Sequence, residues 1–274
     1  AAEYAEALAT AKAAGMSLES YDYYDYEIRG NRIGEYTELV REAKKAVSIP
    51  VIASVNCTWS REWASFAKEL ERAGADALEL NMFFLPSDVA RSSEQHEKEY
   101  FAVVERVRRE VRIPVALKIS PYFSTLAQVI TRLSRTGVGA LVLFNRFFSI
   151  DFDVEKMSVT ASNSLSTPSE IALPLRWIAL MANRVGCDLA ASTGVHDGPA
   201  VVKALLAGAK AVQVVSTLYR NGVDTIGAML TDLEAWMGRH GFKAIADFRG
   251  RMSQAASEDP AVYERVQFMK HYGG

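Results

Sequence analysis

Apolar and polar positions along this chain fall into two alternating kinds of segment. Short runs at Val51–Val55, Ala77–Asn81, Val115–Ile119, Ala140–Phe144, Asp188–Ser192 and Ala211–Val215 are almost continuous in Val, Ile, Leu and Ala. Parallel strands covered on both faces have this pattern. Between them lie longer stretches with helical spacing, among them REWASFAKELERAG (61–74), EKEYFAVVERVRREV (97–111) and GPAVVKALLAG (198–208). Strand–helix alternation predicts right-handed βαβ units in a parallel sheet. Three segments repeat one design: RAGADALEL (72–80), RTGVGALVL (135–143) and LAGAKAVQV (206–214). Each reads as a helix end, a glycine suited to the left-handed cap, a short turn and a strand. SIPVIASV and RIPVALKI recur as strand beginnings, with proline just ahead of the apolar core. Recurrence of αβ units of this size predicts an α/β fold of the (β/α)8 barrel type. Only six strands are readable, so the first two β/α units of such a barrel have no counterpart in the pattern. The chain reads as one domain over 1–274. It has an Ala-rich helical segment over 1–47, barrel units over 48–253 and a tail over 254–274.

Composition narrows the partners. With 31 Lys and Arg interspersed among 33 Asp and Glu, net charge is −2. That excludes a basic nucleic-acid footprint or a polybasic membrane surface. A small-molecule ligand fits best. Cys57 and Cys187 are the only cysteines, too few for a disulfide framework or a Cys-rich metal site. No apolar run is long enough to span a bilayer and no signal peptide is read, so a reducing cytoplasm is the expected compartment.

In a (β/α)8 barrel, function gathers at the C-terminal ends of the strands. Those ends carry Asn56, Asn81, Lys118, Asn145, Thr193-Gly194 and Ser216. An asparagine amide both donates and accepts, so it can read an imide-like ring edge. A lysine at a strand end suits an anionic oxygen or an electron-rich ring nitrogen. Any one of these residues could be a loop anchor. Three asparagines and a lysine together argue for a site. ASTGVHDGPAVV (191–202) runs from a strand through Thr193-Gly194 into a helix opened by Gly198-Pro199, a phosphate-seat pattern. VVSTLYRNG (214–222) adds a second turn with the hydroxyls of Ser216 and Thr217. His196 beside the first turn is as readily an exposed loop residue. His96, His240 and His271 are too scattered to argue for a metal. Glu79 reads as a structural partner, and Cys187 lies at the opposite rim.

With these residues in view, the chain resembles the dihydroorotate dehydrogenase family. ELN (79–81), VALKISPYF (115–123), LVLFN (141–145), the block over 193–222 and HGFKAIADFRGRMS (240–253) carry the likeness, in order, over roughly 48–253. The last of these resembles the family's closing helix. The resemblance implies an FMN-binding barrel that oxidises a C–C bond of a dihydropyrimidine, hydride passing to flavin N5. It implies Asn56, Asn81 and Lys118 against the flavin, Asn81 and Asn145 against a planar cyclic substrate, and Thr193, Gly194, Ser216 and Thr217 around the phosphate. It also leaves room for a homodimer.

Departures accompany the likeness. The family's Cys or Ser base falls on Phe84 or Leu85, neither of which can accept a proton. Ser87, Asp88 or Cys57 could stand in only if the loop folds back, and the apolar loop LELNMFFLP could line a lid over a flat ligand. Asn145 is followed by Arg146, which could bind a substrate carboxylate or pair with an acid. Val215 replaces a glycine ahead of the second phosphate turn. The main expectation is an FMN oxidoreductase with Lys118 and Ser87 as its catalytic candidates. A non-catalytic flavin- or nucleotide-binding barrel is the alternative. A lyase or isomerase would need more acid–base residues at strand ends than Lys118 alone.

Overall fold

The computed structural model describes residues 33–56, 62–82, 84–147, 150–161 and 165–264. Cys57, Phe83 and His271 therefore lie outside the described residues, as does most of the Ala-rich start. Residues 33–46 form helix α1. There follow β1 (Ile52–Val55), α2 (Glu62–Arg72), β2 (Ala77–Asn81), α3 (Ser93–Glu110), β3 (Val115–Ile119), α4 (Leu126–Ser134) and β4 (Ala140–Leu143). The second half holds β5 (Ile150–Asp153), β6 (Ser158–Ala161), α5 (Ala172–Met181), β7 (Asp188–Ala191), α6 (Gly198–Ala207), β8 (Ala211–Val212), α7 (Ser216–Asn221) and α8 (Thr225–Arg239).

All six expected strands form, and they pair in parallel in the order β1-β2-β3-β4-β7-β8. Neighbours in the sheet are neighbours in sequence, with β5 and β6 set aside, so the chain winds one way only. Register places Ser54 beside Glu79, Asn81 beside Lys118, and Lys118 beside Val142. In β3, Val115, Leu117 and Ile119 are buried against the helices while Ala116 and Lys118 take the other face. The sheet is curled into a half-barrel. Laid flat, β8 would stand four strand spacings from β2, about 19 Å. Yet the Gln213 side chain beyond β8 hydrogen-bonds Glu79 of β2, and also lies 2.8 Å from Lys118 of β3.

The helices form for local reasons. Ser92 Oγ accepts from the Gln95 N–H, and Gln95 returns the bond to the Ser92 N–H, a reciprocal cap that starts α3. Tyr100, Val103, Val104 and Val107 then present one apolar face to the core. Gly74 and Gly137 take positive φ where the repeated helix-to-strand turn requires it. Largest among the buried side chains are Trp63, Tyr100, Phe144 and Phe248, all at most 2% exposed. At the open edge, the Tyr36 hydroxyl from α1 donates to the Ser54 carbonyl and accepts from the Ser54 N–H, both at 3.0 Å.

Two features differ from the sequence reading. Strands β5 and β6 form an antiparallel hairpin outside the main sheet, with Ile150, Phe152 and Val159 exposed. The helix expected over 240–253 is absent. Gly241 and Gly250 take left-handed backbone, and between them stands a single 3-10 turn over Ile245–Asp247. The Asp247 carboxylate accepts from the N–H groups of Lys243 and Ala244, and the buried Phe248 anchors the segment against Trp236. Among the described residues, no helix is long and apolar enough to cross a membrane.

Candidate functional site

At the C-terminal ends of the strands a cavity of about 450 Å³ opens, lined in part by Asn56, Asn81, Lys118, Asn145, Arg146 and Gln213. The turn Ser192–Val195 and the residues Ser166, Val215, Ser216 and Tyr219 complete much of its wall. Eight residues singled out from sequence thus meet on one surface: Asn56, Asn81, Lys118, Asn145, Arg146, Thr193, Gly194 and Ser216. They converge because all stand at or just beyond the C-terminal ends of adjacent parallel strands.

Each polar group has a specific attachment. The Lys118 ammonium donates to Gln213 Oε1 at 2.8 Å. Burial pushes the Lys118 pKa down, and the Glu79 charge opposes that shift. Asn145 Nδ2 donates to the carbonyls of Met82 (2.7 Å) and Lys118 (3.3 Å), tying the ends of β2, β3 and β4 together. Two carbonyl partners fix that amide's orientation and leave Oδ1 as its open end. Asn81 has a buried Oδ1 that meets no partner among the described residues. A buried amide oxygen in that state is suited to a donor from a ligand. Arg146 pairs with Glu170 at 2.7 Å, the acid partner being one of its two expected roles. Burial pushes the Glu170 carboxyl up, but the Thr167 N–H and the Arg146 guanidinium outweigh it and hold the pKa below its ordinary value.

The expected phosphate seat is built on backbone. Thr193 and Gly194 have φ of 82° and 79°. The N–H groups of Thr193, Gly194 and Val195 meet no acceptor among the described residues. Gly194 is demanded twice over, since a Cβ there would stand 2.1 Å from the Ile171 nitrogen. The start of α6 does not share in the seat. The Asp197 carboxylate accepts from the Ala200 N–H at 2.8 Å and caps that helix itself. Ser216 Oγ accepts from the Ser166 N–H (2.9 Å), and Ser166 Oγ lies 3.1 Å from His196 Nε2.

Two candidates stand apart from the cavity. Thr217 is fully buried, its hydroxyl donating to the His196 carbonyl at 3.3 Å and accepting from Asn221 at 3.1 Å. Ser87 is exposed on the β2–α3 loop and does not line the wall. Nor does the described part of that loop act as a lid. Phe84 turns edge-on to Tyr100 with ring centres 5.3 Å apart, and Leu85 faces solvent. Gln213 and Ser166 are among the wall residues that sequence reasoning missed. Gln213 sits inside an apolar strand pattern, and Ser166 sits in a loop with no motif.

A family model described as dihydroorotate dehydrogenase matches residues 29–237 of this chain. The chain belongs to the dihydroorotate dehydrogenase family. Among similar proteins is the dihydroorotate dehydrogenase B (NAD(+)) catalytic subunit of Methanothermobacter thermautotrophicus. It is 29% identical over 222 residues, covering 78% of this chain and 73% of the relative. The protein of the same name from Thermoplasma volcanium is 26% identical over 227 residues, covering 79% and 71%. Membership makes the chain a dihydroorotate dehydrogenase-like oxidoreductase, and it accounts for the barrel's single winding direction. Members of the family are flavoproteins, typically with FMN. The present residues fit such a group: a Gly turn with unengaged N–H groups for a phosphate, a lysine, and an unpaired buried amide for a polar ring edge. Among the described residues, no cluster of His, Cys, Asp or Glu is placed to hold a metal ion.

Proposed function

We propose that this protein is an FMN-dependent oxidoreductase that oxidises the CH–CH bond of a dihydropyrimidine-like ring. One observation carries the reading: Lys118, Asn81 and Asn145 share a single cavity with the free N–H groups of the Thr193–Val195 turn. Bound FMN supplies the hydride acceptor. The turn N–H groups and the Ser216 hydroxyl would hold the phosphate, as neutral donors do at such concavities. Lys118 would set its positive charge against the electron-rich side of the ring. Asn145 would offer Oδ1 to a ring N–H, because its amino group is already engaged by two carbonyls.

The proton is the weak point of this design for dihydroorotate itself. Among the described residues the cavity wall carries no carboxylate, thiol or imidazole, and its serines, Ser166, Ser192 and Ser216, stand outside the β2–α3 loop on which the family's base falls. A positioned base contributes about 10²–10⁴ in rate. Dihydroorotate should therefore be turned over slower by that factor than by a site with its base in place, its C–H proton passing to water, and a ring whose C–H is more acidic should do better. The test is a visible absorption spectrum of the purified protein, before and after adding FMN. Flavin bands that bleach anaerobically with a dihydropyrimidine support the proposal. A protein that takes up no FMN refutes it.

A further inference from the structure

Lys118 is held by two side chains that the flavin reading does not use, Gln213 and, through it, Glu79. Glu79 is 6% exposed, on the concave face of β2. One of its oxygens accepts from Ser54 Oγ at 2.9 Å, and the other accepts from Gln213 Nε2. Gln213 Oε1 in turn accepts from the Lys118 ammonium. The glutamine has no freedom in this arrangement. An ammonium only donates and a carboxylate only accepts, so its amide has one permitted orientation. Lys118 stands one concave-face layer above Glu79 on the neighbouring strand, since Glu79 is in register with Ala116. Without an intervening group, a flexible lysine so placed would close onto the carboxylate as a direct ion pair.

We infer that Gln213 and Glu79 are positioning residues: Gln213 is a spacer that withholds the Lys118 ammonium from Glu79 and keeps it turned to the cavity, and Glu79 locks the spacer. The lysine keeps N–H groups for a ligand, and it still feels the carboxylate's field through the amide. The functional meaning of this device rests on the FMN reading, because that reading supplies what the ammonium meets. Burial lowers the Lys118 pKa while Glu79 raises it, consistent with a carboxylate held near but not in contact.

The prediction is a pair of opposite displacements. Lys118 is labelled with an amine-acylating reagent across a pH series, in the full chain before any flavin is added, and its modification is read by peptide mass spectrometry. In Gln213→Ala the lysine drops onto Glu79, so its titration moves to higher pH and labelling at a fixed, mildly alkaline pH slows severalfold. In Glu79→Gln the supporting charge is gone, so the titration moves to lower pH and labelling speeds up. A network that merely braces the strands would move neither titration, or both in the same direction; either result overturns the inference. Should Glu79→Gln fail to fold, Gln213→Ala decides alone: slower labelling supports the spacer, and unchanged or faster labelling refutes it. Because the readout needs no cofactor, a protein that binds no FMN can still show the spacer, and one that binds FMN can still lack it.

Discussion

Among the described residues, cavities of the same volume, about 450 Å³ each, stand at opposite ends of the strands. The upper one is the candidate site. The lower one is lined by the turns before the strands, with Gly139, Gly186, Cys187, Asp188, Gly208 and Lys210, and by Arg249 and Gly250 of the segment after α8. In the lower wall Asp188 and Lys210 pair at 3.8 Å with both side chains half exposed. In the upper wall, side chains from several strands aim at one point, and one buried amide oxygen is left unpaired. The lesson is that size does not mark a site in this fold. Convergence of strand-end side chains does, as barrels in general place their chemistry at the C-terminal face and their stability at the other.

The sharpest way to break this comparison is to remove one lysine from each end. Lys118→Met should lower flavin-dependent turnover by about 10²–10³, the usual cost of losing one preorganised electrostatic donor. Lys210→Met should change it by no more than about twofold, as expected of an exposed pair. Equal losses in kcat/KM would abolish the distinction between the ends.

Next comes backbone. Gly194→Ala puts a Cβ into the Ile171 backbone at positive φ, and should cost about 3 kcal/mol or more in denaturant unfolding. Gly250→Ala carries the same φ strain, but its nearest neighbour is at 3.8 Å, so about 1–2 kcal/mol is expected. Gly186→Ala meets nothing within 4 Å and should be close to neutral. A mild Gly194→Ala would mean that the 3-10 turn over Pro168–Ile171 yields easily.

A smaller effect tests the lower cavity's chemistry. Burial, with Asp188 beside it, pushes the Cys187 thiol from 9.0 up to about 11. Its thiolate is then about a hundredfold scarcer near neutral pH than that of a free cysteine, and labelling by a maleimide should slow in proportion. The folded state also holds this proton where the unfolded chain has lost it. Cys187 therefore lends stability that is intact below pH 9.0 and lost as pH rises towards about 11, and Cys187→Ala should flatten that decline. Fast labelling at neutral pH would make the lower cavity a reactive one after all.

Much of this fold was legible because parallel strands buried on both faces leave strong apolar runs. The six strands begin and end within a few residues of the reading. Strands β5 and β6 gave no such signal. IDFD and SVTA are short, and their apolar residues Ile150, Phe152 and Val159 lie exposed, so they lack the continuous apolar run of the buried strands. The segment 240–253 read as helical by resemblance, yet two glycines at positive φ divide it into turns. At the site, position on the strand was enough to find Lys118 and the asparagines. What each amide does was not, because Asn145 is oriented by Met82 from 63 residues away and Gln213 by Glu79 from 134 residues away. Thr217 looked like a cavity hydroxyl because sequence order cannot say on which side of a short helix a side chain falls.

The phenol of Tyr36 has a consequence for how this sheet can grow. Ser54 points its N–H and its carbonyl away from β2, towards the place where another strand would dock, and one hydroxyl occupies both. An incoming strand would have to evict Tyr36 before forming its first rung at that residue. Among the described residues that hydroxyl holds the place of a first rung at Ser54, and Tyr36→Phe would leave one donor and one acceptor of the strand edge unpaired there.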